Sequence, residues 1–140
     1  MEIYLHVPYC RQKCRYCDFA SFPHAESTQR AYVDAVLSEA ASQAAKLPHS
    51  AMETAYLGGG TPSILPPELL TRLLEGVTAH FPLAHGAEFT SEANPGTLTH
   101  AWLDAALNCG INRLSMGMQA AQPALLKMLG RIHDFAQVQQ

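Results

Sequence analysis

The segment Thr54-Ala55-Tyr56-Leu57-Gly58-Gly59-Gly60-Thr61-Pro62-Ser63-Ile64-Leu65-Pro66-Pro67-Glu68-Leu69-Leu70 runs from a β-type stretch through three glycines to a proline-led helix start. Thr54 to Leu57 reads as a short strand. Pro66 and Pro67 suit the first helical turn, where a fixed φ and a missing N–H cost nothing. Leu69, Leu70, Leu73, Leu74, Val77 and Phe81 then recur at helical spacing, as an apolar stripe that must face a core. A strand passing directly into an amphipathic helix is one βα unit, and the rest of the chain repeats it.

Upstream, Ile3, Leu5 and Val7 alternate with Tyr4 and His6, so Glu2 to Val7 reads as a strand. A cysteine-rich loop follows it. Ser27 is the expected N-cap of an Ala-rich helix whose stripe is Tyr32, Val33, Val36, Leu37 and Ala40, with Pro48 just past its end. Downstream, Pro82 and Gly86 mark a loop, Ala87 to Glu92 a third strand, and Asn94-Pro95-Gly96 a turn. Thr99 can cap a helix through Trp102, Leu103, Ala106 and Leu107 that Gly110 stops. Asn112 to Met118 reads as a fourth strand. Pro123 opens a helix through Leu125, Leu126 and Leu129 that ends at Gly130, and a last helical start runs from Asp134 to Gln140. Alternation of this kind implies an α/β fold with a parallel sheet, whose ligands sit beyond the C-terminal ends of the strands. The distinctive residues all fall there: the cysteine loop, the glycines, Glu92 and Gln119.

Composition narrows the function classes. The 140 residues are 48% hydrophobic and 15% charged, which is globular, and the formal charge of −3 argues against a basic nucleic-acid binder. No apolar run approaches the roughly 18 residues of a membrane span, and Met1-Glu2-Ile3-Tyr4 lacks the pattern of a signal peptide. A cytoplasmic protein is expected, with room left for peripheral membrane contact.

Three of the four cysteines crowd into Cys10-Arg11-Gln12-Lys13-Cys14-Arg15-Tyr16-Cys17, a C-x3-C-x2-C loop, and Cys109 stands apart. In a reducing compartment, clustered thiols point to metal ligation or catalysis rather than disulfides. Three thiolates on one short loop can hold three corners of an iron–sulfur cube, leaving one iron open. Zinc with Cys109 or His6 as a fourth ligand is the alternative, although a second ligand knuckle is missing. Taken singly, Glu92 reads as a solvated carboxylate, Tyr4 as a core tyrosine, Arg131 as a helix C-terminal cation and Cys109 as a buried apolar thiol.

The loop resembles the cluster-binding signature of radical S-adenosylmethionine (SAM) proteins, and Tyr16 before the last cysteine fits that pattern. Tyr4-Leu5-His6-Val7-Pro8-Tyr9-Cys10 through Cys17-Asp18-Phe19 resembles the oxygen-independent coproporphyrinogen III oxidase group. Gly58-Gly59-Gly60-Thr61-Pro62, Glu92-Ala93-Asn94-Pro95-Gly96, Asn112 through Gln119, and Leu129-Gly130-Arg131-Ile132-His133-Asp134 match later motifs in order. The resemblance implies a [4Fe–4S] cluster on Cys10, Cys14 and Cys17, with SAM chelating the open iron. It assigns SAM contacts to Tyr4, Tyr16, Gly59, Gly60, Thr61, Glu92, Gln119 and Arg131, and implies reductive cleavage of SAM. Oxidases of the group carry another cysteine two positions after the last ligand, where this chain has Phe19. That departure points to the group's heme chaperone branch, with heme or porphyrin as ligand and with a heme-acceptor protein and an electron donor as unnamed partners. Coproporphyrinogen III oxidation is the alternative, a non-catalytic zinc-binding βα module the next, and whether the chain is an enzyme stays open. About four βα units are visible, against about six in the partial TIM-like barrel of this superfamily. Residues 1–140 are therefore expected to be the N-terminal part of a radical SAM core domain, incomplete at its C-terminus.

Overall fold

Val7, Leu57 and Phe89 are fully or nearly fully buried side chains of three neighbouring strands, and they mark the face on which the core is built. They belong to a computed structural model that describes residues 1–23, 26–47 and 50–139. The elements are β1 (Glu2–Val7), β2 (Tyr9–Cys10), β3 (Phe22–Pro23), α1 (Glu26–Ala44), β4 (Met52–Gly59), α2 (Pro67–His80), β5 (Leu83–Ala93), α3 (His100–Asn108), β6 (Arg113–Met116), α4 (Pro123–Leu129) and α5 (Phe135–Gln139). The main sheet has the order β1-β4-β5-β6, and every pair in it is parallel. This is the expected βα alternation, with the barrel not closed.

One face of the sheet packs on α1, α2 and α3. Leu69, Leu70, Leu73, Leu74 and Val77 of α2 are buried, Val33 and Ala40 anchor α1, and Trp102 and Ala106 anchor α3. These are the residues that recur at helical spacing, and their removal from water is the main driving term for assembly. The other face carries polar side chains in register. Tyr4 lies beside Tyr56, Tyr56 beside Thr90 and Thr90 beside Arg113, one residue from each of the four strands.

Several boundaries differ from expectation. α1 begins at Glu26, so Ser27 is an exposed residue of its first turn rather than the cap, since the helical backbone starts before it. Pro48 and Gln140, the expected limits of two helices, lie outside the described residues. Leu83 to Gly86 belongs to β5 rather than to a loop. Pairing runs from Met52 with Leu83 to Thr54 with Glu88, five steps along β5 against two along β4. Gly86 at φ +77 absorbs that bulge. β6 is shorter than Asn112–Met118, because Asn112 instead staples β5, accepting from the Phe89 N–H at 3.0 Å and donating to the Ala87 carbonyl at 2.8 Å. All four β6 residues are exposed, and so is Leu107 of α3, which points away from the core. The two-residue strands β2 and β3 form a second, parallel pair that no sequence period announces.

Candidate functional site

The cysteine loop is held at both ends by backbone. The Phe22 N–H donates to the Pro8 carbonyl at 2.8 Å, and β2 pairs with β3, closing the base of the loop. At its far side the Arg15 N–H donates to the Leu129 carbonyl at 3.1 Å, and the Gln12 amide to the Gly130 carbonyl at 3.2 Å. The loop is thus clasped to the end of α4. That end is shaped by Gly130, whose φ of +72 lets the chain reverse while the Arg131 N–H bonds the Leu126 carbonyl at 2.9 Å. The reversal carries the Arg131 side chain back beneath the loop.

Between the loop and the C-terminal ends of β4, β5 and β6 lies a cavity of about 360 Å³. Cys10, Cys14 and Cys17 border it, together with Tyr16, Gly59, Gly60, Thr61, Glu92, Gln119 and Arg131. Ten of the eleven residues singled out from sequence are therefore neighbours of one space. Tyr4 is the one that does not border it. It lies on the polar face of β1, 58% exposed, with its ring stacked on Tyr56 and its hydroxyl 2.9 Å from His6 Nδ1. His6 in turn bonds the Ala20 carbonyl through Nε2 at 2.8 Å, so both of its nitrogens are engaged.

The glycine run is shaped by the protein itself. Gly59 has a φ of +109, where a side chain is strained, and its N–H donates to Glu92 Oε2 at 3.1 Å. A Cβ on Gly60 would lie 2.5 Å from the Tyr9 carbonyl oxygen and 3.0 Å from Cys10 Sγ. Only glycine lets β4 approach the cysteine loop this closely.

The donors around the thiols are directed at sulfur. Thr61 Oγ1 donates to Cys10 Sγ at 3.5 Å, and Arg131 Nη1 to Cys14 Sγ at 3.4 Å. The same guanidinium reaches the Tyr16 hydroxyl at 3.4 Å and, through Nη2, the Gly117 carbonyl at 2.7 Å, while its buried Nε–H has no partner among the described residues. A fixed cation and a hydroxyl donor aimed at these sulfurs can offset the negative charge that cysteine ligands bring to a metal or cluster. Burial raises the Tyr16 phenol, with Arg131 pulling the other way. Among the described residues, no three His, Cys, Asp or Glu side chains converge on a single-ion position, and neither Cys109 nor His6 borders the cavity. Three sulfurs bordering one space suit a polynuclear cluster better than one tetrahedral ion. The Cys109 thiol, at the end of α3, is pushed up chiefly by burial.

Three further residues shape the site; Tyr56 and His133 carry no signal in the sequence, and Asn94 stands in the expected turn. The Tyr56 hydroxyl donates to Glu92 Oε1 at 2.9 Å. Asn94 caps the turn after β5, its side chain accepting from the Gly96 N–H at 3.1 Å. His133 is buried, and its Nε2–H donates to the Met118 carbonyl at 3.1 Å, beside Gln119 at a left-handed φ of +65. Period-2 alternation puts Tyr56 on the face of Tyr4, but no spacing in the chain links it to Glu92.

Residues 4–140 match the family described as the Radical SAM superfamily. The chain is 42% identical over 136 residues to heme chaperone HemW of Escherichia coli (strain K12), covering 95% of this chain and 35% of that protein. To HemW of Mycobacterium tuberculosis (strain ATCC 25618 / H37Rv) it is 41% identical, covering 94% and 35%. To the oxygen-independent coproporphyrinogen III oxidase of Paracoccus denitrificans (strain Pd 1222) it is 35% identical, covering 96% and 30%. Among solved structures it is similar to the coproporphyrinogen III oxidase HemN from Escherichia coli, a radical SAM enzyme. The TM-score is 0.91 at 26% identity, over 98% of this chain and 32% of that one. The chain thus spans about a third of the length of the curated relatives it matches.

Proposed function

The chain belongs to the radical SAM superfamily, and from that premise we propose that it is the cluster- and SAM-binding part of a heme chaperone of the HemW type. The observation that carries this reading is the convergence of three cysteine thiols, the Gly59-Gly60 backbone, Glu92, Gln119 and Arg131 on one cavity at the strand ends. The family implies a [4Fe–4S] cluster and SAM; when bound, the pair supplies one-electron reductive chemistry that no side chain can.

In this reading Cys10, Cys14 and Cys17 hold the cluster. Thr61 and Arg131 stabilise the negative sulfurs of Cys10 and Cys14. Glu92, held through both of its oxygens, offers its remaining lone pairs to the N–H donors of an amino group at the Gly59-Gly60 turn. Gln119 and the remaining donor capacity of Arg131 face a carboxylate, Tyr16 contributes to the same wall, and Tyr4 acts from the neighbouring register position. The clasp between the cysteine loop and α4 holds the thiols in place at the cavity.

The heme assignment rests on relatives and on Phe19. The chain is 42% and 41% identical to two proteins named heme chaperone and 35% identical to one named oxygen-independent coproporphyrinogen III oxidase, and Phe19 supplies no thiol at the position two after Cys17. Its ring is 59% exposed at the cavity wall, a surface suited to a flat apolar ligand such as heme or a porphyrin. A heme-acceptor protein and an electron donor are the further partners proposed, in the cytoplasm. Among the described residues no helix is long and apolar enough to cross a membrane. We read residues 1–140 as the first βα units of the barrel, with β6 awaiting a further strand.

Anaerobic reconstitution followed by two parallel assays tests the proposal. Heme titration is expected to give saturable binding, and incubation with coproporphyrinogen III, SAM and a reductant is expected to give no protoporphyrinogen IX. Appreciable protoporphyrinogen IX would replace the chaperone reading with the oxidase one.

A further inference from the structure

Glu92 stands at the end of β5 with both carboxylate oxygens already occupied on one side. Oε2 accepts from the Gly59 N–H at 3.1 Å, and Oε1 accepts from the Tyr56 hydroxyl at 2.9 Å. Two donors on different oxygens fix the plane of a carboxylate as well as its position. One donor alone would leave it free to rotate about χ3, a broad torsion with little intrinsic preference. Of the four lone-pair sites on the group, two are used, which leaves two for a ligand in the cavity that Glu92 borders.

Tyr56 is itself held. Its ring stacks on Tyr4 with centroids 6.0 Å apart and planes 25° apart, and its backbone lies between Tyr4 and Thr90 in the sheet. A Cβ on Gly58 would sit 2.8 Å from the Tyr56 ring and 3.2 Å from the Glu92 carboxyl, so the two groups are packed against the glycine turn with no slack. The Tyr4 hydroxyl continues to His6, and His6 to the Ala20 carbonyl of the cysteine loop. The orientation of Glu92 is thereby tied to the loop that carries the thiols.

We infer that Tyr56 is a positioning residue for the amino group of SAM, acting through its hydrogen bond to Glu92. The inference rests on the reading of the cavity as a SAM site. Tyr56 does not border the cavity, so its effect reaches the ligand by holding the carboxylate in a binding orientation. An enzyme or carrier with this device gains affinity by pre-organisation rather than by an added contact.

The test is equilibrium dialysis of SAM against the anaerobically reconstituted protein, with iron content and melting temperature measured on every variant. Tyr56→Phe is expected to weaken SAM binding about tenfold, the lower end of what loss of a hydrogen bond to a charged group gives. In a Glu92→Gln background the same change is expected to alter affinity less than about twofold, because non-additivity reports coupling between the two residues. Tyr56→His, which keeps a ring and an N–H donor, is expected to retain more affinity than Tyr56→Phe. Equal SAM affinity in wild type and Tyr56→Phe would overturn this inference and leave the SAM site standing. So would an undiminished effect in the Glu92→Gln background. A reconstituted wild type that binds no SAM would overturn the reading of the cavity and this inference with it. If Tyr56→Phe melts early, the comparison passes to Tyr56→His: retained affinity supports the inference and lost affinity defeats it.

Discussion

Arg131 Nη1 lies 3.4 Å from Cys14 Sγ, joining residues 117 positions apart across the mouth of the cavity. The contact exists because Gly130 ends α4 in a left-handed conformation and because Arg15 and Gln12 bond the backbone of that same helix end. One guanidinium therefore ties the thiol loop, through Cys14 and Tyr16, to the segment after β6, through Gly117.

Arg131→Lys tests whether charge or shape matters there. Lysine keeps the cation but cannot span Cys14, Tyr16 and Gly117 with a planar fork. SAM affinity of the reconstituted protein is expected to fall about tenfold, with iron content near that of wild type. Unchanged SAM affinity by equilibrium dialysis would show that a point charge suffices.

The ligand assignment makes a sharper claim. Cys14→Ala is expected to lose the cluster, read as iron and sulfide content and as broad absorption around 400 nm. Cys109→Ala is expected to keep it, since Cys109 lies at the end of α3 among core side chains. Stoichiometric zinc without sulfide in the wild type would instead identify a mononuclear site.

Glycine replacements separate backbone strain from crowding. Gly60→Ala drives a methyl to 2.5 Å from the Tyr9 carbonyl and is expected to destabilise the fold by about 1–3 kcal/mol. Gly86→Ala carries only the left-handed penalty, about 1 kcal/mol, because none of the described residues lies within 4 Å of the new Cβ. Melting temperatures that rank the two the other way would contradict the packing described at the cysteine loop.

His133 gives the fold a pH dependence. Burial lowers its pKa below the ordinary value of 6.5, only partly opposed by the bond to the Met118 carbonyl. The unfolded chain then binds more protons than the native one between the depressed native value and 6.5, so stability is present above pH 6.5 and declines as pH falls below it. Urea unfolding between about pH 7 and pH 5 is expected to show this decline, and His133→Gln to flatten it. An equal slope in the variant would assign the dependence to other groups.

Much of the fold is legible locally because its signals are local. Thr99 accepts from the Trp102 N–H at 3.1 Å, as an N-cap should, and Gly110 and Gly130 end their helices at positive φ. Asp134 accepts from the Gln137 N–H at 2.9 Å, while the Gln137 side chain accepts from the Asp134 N–H at 3.0 Å, a reciprocal cap at the start of α5. The bulge at Gly86 was hidden because a glycine after a proline signals a loop as readily as a bulge, and only pairing with β4 separates the two. Leu107 was misleading for a related reason: helical spacing identifies a stripe, and the width of the neighbouring element decides how much of it is covered.

By itself the sequence determined the order of strands and helices, the thiol spacing and the set of residues gathered at the strand ends. Each of these depends on neighbours along the chain, through periodicity, capping and turn chemistry. The tertiary structure alone decided which side chains meet across strands: Tyr56 with Glu92, Arg131 with Cys14, and Tyr4 with Tyr56 instead of with the cavity. Those meetings are set by register and by the crossing of β4, β5 and the cysteine loop. Contacts between residues tens of positions apart leave no period in the chain to read.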